Sequence, residues 1–187
     1  AWNWKANGSG SSNTNGSITS TVSANVDAGF SIVSYTGNGV DGATIGHGLS
    51  SAPEMVIVKC RSAAKSWPVL MSGLVGTGND TLYLNKTNAI SSQTVVFPAT
   101  LPTSSVFSVG THQESNGSSD TYIAYCFHSV DGYSKVGSYT GNGVVDGTFV
   151  YTGFRPAFVL TKVTNAVDDW SIADSSRSPD NVAGESL

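Results

Sequence analysis

The chain has 187 residues, enough to bury a sizeable core in one large β domain or in two small ones. Only 12% of it is charged and the formal net charge is −4, while Asn, Ser, Thr and 21 Gly supply polarity and turns. No Lys or Arg cluster could track a phosphate backbone and no apolar run approaches the roughly 18 residues of a membrane span, which argues against nucleic acid and bilayer insertion.

The opening Ala1-Trp-Asn-Trp-Lys-Ala-Asn-Gly8 is similar to Ala124-Tyr-Cys-Phe-His-Ser-Val-Asp131, which takes in the end of the strand candidate Tyr122–Phe127. Residues 1–28 therefore read as the closing strand of a preceding unit plus a flexible loop, and the chain as a piece of a longer polypeptide. Residues 7–16 have too little apolar content to order themselves. Ser17–Val22 alternates polar and apolar residues, as a short strand does.

A stretch from Gly29 to Trp67 then recurs from Gly132 to Trp170. Ser-Tyr-Thr-Gly-Asn-Gly stands identically at Ser34–Gly39 and Ser138–Gly143, an offset of 138 − 34 = 104. Asp41-Gly42 answers Asp146-Gly147, and Gly48, Pro53, Lys59 and Trp67 answer Gly153, Pro156, Lys162 and Trp170. A repeat at fixed spacing sets the architecture. The expectation is a first unit over 29–131 and a second, truncated one over 132–187.

Within the first copy, Gly29–Thr36 alternates in period two, with Phe30 and Ile32 on one face and Val33 and Tyr35 on the other. The Asn38-Gly39 and Asn142-Gly143 pairs supply the positive φ of a tight turn. A strand follows each turn, weakly at Ala43–Ile45 and clearly at Thr148–Tyr151. Past the prolines, Met55–Val58 and Ala157–Leu160 read as buried sandwich strands, and Trp67 and Trp170 open the next ones. Thr81–Asn85, Thr94–Phe97 and Val106–Val109 are short strand candidates. The tail from Ser175 has little apolar content. The fold class is all-β, a β-sandwich built from two related repeat units.

Chemistry is sparse. His47, His112 and His128 lack ligand spacing, so no metal site is expected. There is no nucleophile elbow, and the acids stand in Asp-Gly turns (Asp41, Asp131, Asp146) or late in the chain (Asp168, Asp169, Asp174, Asp180). Asp168-Asp169 could offer oxygen ligands to Ca²⁺, without EF-type spacing. Cys60 and Cys126 read as two buried thiols, with one disulfide as the alternative. Trp67 and Trp170 fit core packing first and a sugar-stacking platform second. Asn-x-Ser/Thr triplets at Asn7, Asn15, Asn79, Asn85 and Asn116 follow from composition. Tyr35, Asn38, Tyr139 and Asn142 are ligand-contact candidates, though a repeated turn is explained first by folding. The expectation is no enzyme, no catalytic, cofactor or metal residue and no cofactor.

Taken together, Gly29–Gly39, Gly46-His-Gly-Leu49, Met55–Lys59, Tyr122–Phe127, Gly132-Tyr-Ser-Lys135 and Phe149–Ala157 resemble a poorly characterised repeat domain of tailed-phage virion proteins, many of them marine. That domain is commonly found beside laminin-G-like or SPRY-like lectin-type modules. The resemblance implies an extracellular virion protein: a tail-fibre or capsid-surface adhesion and display module that contacts host glycan or protein. The alternative is a purely architectural capsid-decoration or fibre subunit, and the lesser one a glycan-binding or glycan-cleaving module. Other virion proteins and a homo-oligomer, a trimer foremost, are the implied partners.

Overall fold

The structure, a computed structural model, describes residues 3–72 and 80–177. The readings placed on Ala1–Trp2, on the Asn79 triplet and on the tail past Arg177 lie outside the described residues.

The fold is all-β, with every strand pair antiparallel. One eight-stranded sheet has the order β1 (Ser11–Asn13), β2 (Ser20–Asn25), β3 (Phe30–Thr36), β10 (Thr121–Phe127), β5 (Met55–Cys60), β6 (Pro68–Met71), β7 (Asp80–Tyr83), β8 (Ser91–Ser92). Two hairpin-like sheets complete it, β4 (Ala43–Gly46) with β9 (Val106–Val109), and β11 (Phe158–Lys162) with β12 (Trp170–Asp174).

Strict alternation along β3, β5 and β10 explains the layering. Val33 and Tyr35, Val56, Val58 and Cys60, and Tyr122, Ala124 and Cys126 point to one face, where Ala43, Ile45, Phe107 and Val109 of the β4–β9 pair cover them. This is the main core of a two-layer sandwich. The opposite face holds Ile57, Val69 and Leu82, with Met55, Trp67, Tyr125, Phe127 and Trp170 packed around them. Burial on both faces accounts for the continuous apolar run of β5.

Four expectations need correction. Residues 7–16 are not wholly irregular, because Ser11–Asn13 pairs with β2. The second strand begins later than Ser17: Ile18 makes only an isolated bridge to Ile45, and the ladder to β3 runs over Ser20–Asn25. Thr94–Phe97, for all its β-branched residues, is a turn in which Val96 and Phe97 both donate to the Gln93 carbonyl at 2.8 and 3.0 Å. That turn drives Val96 and Phe97 fully into the main core, and burial outweighs strand propensity. Ala157–Leu160 is not a buried sandwich strand: β11 is only partly buried, and it pairs with β12.

The β11–β12 hairpin has the register of β5–β6. Met55 faces Met71 and Phe158 faces Asp174, and 158 − 55 = 174 − 71 = 103. Trp170 docks this hairpin on the larger sheet: its indole N–H donates to Tyr83 O at 2.9 Å, and its ring joins the cluster that contains Trp67.

Candidate assembly interface

The hexapeptide at Ser34–Gly39 is built into the core. Tyr35 is 5% exposed, stacks on Tyr122 at 5.1 Å between ring centroids and donates its hydroxyl to Ser115 O at 2.7 Å. Burial pushes its pKa well above 10, with Tyr122 and the two cysteines adding to the effect. After it, Asn38 Oδ1 accepts the Val40 N–H at 2.9 Å and Gly39 takes φ +71°, a conformation costly for a residue with a Cβ. The buried Asn116 clamps this turn: its Oδ1 accepts Asn38 N–H at 2.9 Å, and its Nδ2 donates to Val40 O at 2.9 Å and Gly110 O at 2.8 Å.

The second hexapeptide reproduces the turn but not the burial. Asn142 Oδ1 accepts Val144 N–H at 3.3 Å and Gly143 again takes φ +71°. Yet Tyr139, the counterpart of Tyr35, is 58% exposed, and Phe149 is 86% exposed. Thr148–Tyr151, expected as a strand, forms none, and Ser138–Thr148 is closed on itself by the Thr148 hydroxyl donating to Thr140 O at 2.8 Å and the Asn142 amide to Asp146 O at 3.0 Å. The physical reason is pairing. In the first copy β3 lies against β10 and β4 against β9, while the described residues that follow the second copy supply no strand of either kind. Likewise β5 is paired on both sides, with β10 and β6, whereas among the described residues the strand that pairs with β11 is β12. Tyr133, Tyr139, Phe149 and Tyr151 are thus each exposed in the stretch of sequence ahead of β11, which also holds the exposed Asn142 and Asp146.

The remaining candidates are structural. Trp67 lies in the second cluster with Lys59 Nζ 5.3 Å from its ring centroid, and its backbone N–H donates to Asn85 Oδ1 at 2.9 Å. Both tryptophans therefore pack in the same cluster, as core residues do. Cys60 and Cys126 are free and buried, and burial raises the Cys126 thiol to about 12. Asp41, Asp131, Asp146, Asp168 and Asp169 stand exposed, Asp169 N–H bonding Asp168 Oδ1 at 2.8 Å. Asp174 accepts Arg177, whose guanidinium holds the Asp174 carboxyl below its usual range. Among the described residues no three His, Cys, Asp or Glu come together as a metal site. Asn7, Asn15 and Asn85 are exposed, but Asn116 has its amide spent on two carbonyls and is fully buried. Asn116 is also the residue that the sequence reading missed, since nothing in Ser115-Asn-Gly117 distinguishes it from the other polar loops.

His112 is exposed beside Glu114, and His128 is buried with Nδ1 2.8 Å from Ser129 O. His47 is the informative one. Its Nδ1 accepts Leu49 N–H at 3.1 Å, and its Nε2, 3.1 Å from Thr103 O, carries the proton. Burial holds its pKa below 6.5, opposed by the Thr103 carbonyl and reinforced by His128. A proton added at Nδ1 would also strand the Leu49 donor. Because the folded pKa lies below the unfolded one, the unfolded chain takes up the proton first. Stability is full above pH 6.5 and falls as pH drops toward the folded value, by up to about 1.4 kcal/mol per pH unit. Urea midpoints measured from pH 8 to pH 5 should show that decline, and a His47→Gln variant should show less of it.

Compared with known proteins, residues 1–187 match the family model described as a domain of unknown function (DUF7483). Neither the curated proteins nor the solved structures give a match.

Proposed function

The chain belongs to the DUF7483 family, and from that membership, which brings no activity with it, we propose a non-enzymatic assembly module of a tailed-phage virion. The virion context rests on the sequence resemblance. The module role rests on one observation: the same tyrosine of the same hexapeptide is 5% exposed as Tyr35 and 58% exposed as Tyr139. A side chain patterned for a core and left on the surface belongs in an interface. In this reading residues 132–174 are the opening half of a second sandwich unit, which other strands complete, and the chain works by packing against neighbours in the virion, outside the cell.

Light scattering across a concentration series tests this. The chain should associate, and Tyr139→Ser with Phe149→Ser should weaken association at least tenfold without lowering the melting temperature of the first unit. A monomer at every concentration, unaffected by these changes, would remove the assembly role.

Exposed aromatic rings close in sequence to Asn142 and Asp146 favour a second reading, a host-glycan adhesion platform, since rings stack on sugars and amides and carboxylates bond hydroxyls. Binding to a glycan array by the monomer, abolished by Tyr139→Ser, is the outcome that selects it.

A further inference from the structure

We propose that Asn142 is a site of spontaneous covalent modification, converted to aspartate and isoaspartate through a succinimide, while Asn38 in the same local sequence is protected. Ser-Tyr-Thr-Gly-Asn-Gly-Val stands identically at Ser34–Val40 and Ser138–Val144, so the neighbouring residues do not set the two asparagines apart. Both asparagines are exposed, so access of water does not either. What differs is the glycine nitrogen that follows each.

That nitrogen is the nucleophile. It must give up its proton and reach the asparagine Cγ, and glycine, having no side chain, hinders the approach least. A bond forms from the glycine nitrogen to Cγ, the bond from Cγ to Nδ2 breaks, and Nδ2 leaves with a proton as ammonia. Water then opens the five-membered ring at either of its carbonyls. The product carries a carboxylate in place of the amide, on the side chain in aspartate, or with the main chain rerouted through the side chain in isoaspartate. Only water enters the reaction.

In the first copy the nucleophile is engaged. Gly39 N–H donates to Asn116 O at 3.0 Å, and Asn38 Oδ1 accepts the Asn116 amide at 3.2 Å as well as Val40 N–H. The next Asn-Gly pair is held the same way, since Gly117 N–H donates to the Tyr122 hydroxyl at 2.7 Å and Asn116 is fully buried. In the second copy, among the described residues, nothing accepts the Gly143 N–H, and a Cβ placed at Gly143 would meet nothing within 4 Å. Asn142 Oδ1 accepts Val144 N–H at 3.3 Å, a donor standing where negative charge develops during the attack. Its Nδ2 donates to Asp146 O at 3.0 Å, a bond on an exposed loop that water can replace.

The two other Asn-Gly pairs among the described residues are restrained by their surroundings. Asn7 N–H and Gly8 O both bond the Ser23 hydroxyl, and a Cβ at Gly16 would strike the Thr44 backbone, which leaves the main chain after Asn15 no room to swing into a ring. Conversion at Asn142 therefore adds a carboxylate to the loop that already holds Asp146 and leaves the core turn at Asn38 intact.

Peptide mapping by mass spectrometry of the full chain, aged at pH 8, follows each site separately. In the folded chain Asn142 should convert at least about tenfold faster than Asn38, the factor that one hydrogen bond to the glycine nitrogen supplies. In urea, where the identical heptapeptides have the same surroundings, the two rates should converge. Equal rates in the folded chain would overturn the assignment, as would an Asn142 that stays intact when folded yet reacts in urea. Asn142→Gln should abolish the fastest-forming acidic species on anion exchange, and an acidic species forming as fast in that variant would place the modification elsewhere.

Discussion

Replacing Tyr35 by alanine is expected to remove about 4 kcal/mol of unfolding free energy, and the same replacement at Tyr139 less than about 0.5 kcal/mol. The two tyrosines sit in identical hexapeptides, so local propensity is held constant between them. What differs is surroundings. Tyr35 loses a stacked ring in Tyr122, an edge contact with Phe107 at 6.4 Å and a hydrogen bond to Ser115 O. The cavity cannot collapse easily, because Val33, Phe107 and Tyr122 around it are held by three different strands. Tyr139, already 58% exposed, gives up far less buried surface. Urea denaturation of both variants, at a concentration where the chain is monomeric, gives the comparison. Equal losses at the two sites would mean that the second unit is folded within the single chain, and the unfinished-sandwich reading would go with it.

That contrast also explains what the sequence could and could not tell. Turns are local: Asn followed by Gly, with its side chain accepting the N–H two residues on, forms the same loop at Asn38 and Asn142 whether or not a sheet surrounds it. Alternation is nearly as local, so β3, β5, β9 and β10 were legible, as were Trp67 and Trp170 just before or at the start of their strands. Pairing is not local. Thr148–Tyr151 has stronger strand propensity than Ala43–Ile45, yet only the latter finds a partner, in β9 more than 60 residues away in sequence. Thr94–Phe97 fails in the other direction, a strand-like sequence bent into a turn because Phe97 fills the core better there. The candidate interface was half legible: Tyr139 and Asn142 were picked out from the repeat. That they are exposed while Tyr35 is buried requires knowing which strands are present to cover them.

Asn116→Ala should cost about 3 to 4 kcal/mol, nearly as much as losing Tyr35, although it removes only an amide. Asn116 links the hexapeptide turn to the loop ahead of β10 through both ends of its side chain. Alanine takes the Asn116 amide away from the Gly110 carbonyl and the Asn38 N–H, and leaves the Val40 carbonyl with the Ala43 N–H at 3.3 Å. Each such group costs about 1 to 3 kcal/mol if buried, and the turn around Asn38 is open enough for water to recover part of it. Asn116→Asp is the sharper experiment. Its volume is unchanged, but a carboxylate brings acceptors where two carbonyl oxygens require donors, in a fully buried site. The charged form is therefore disfavoured and the carboxyl pKa raised on folding. A raised folded pKa means that the variant is most stable at acid pH and loses stability as pH rises, the reverse of the His47 trend. Denaturation of Asn116→Asp at pH 4 and pH 7 should show the larger deficit at pH 7, relative to the unsubstituted chain. An equal deficit at both would mean that water reaches the site, and that the clamp is looser than its two carbonyl bonds, at 2.8 and 2.9 Å, imply.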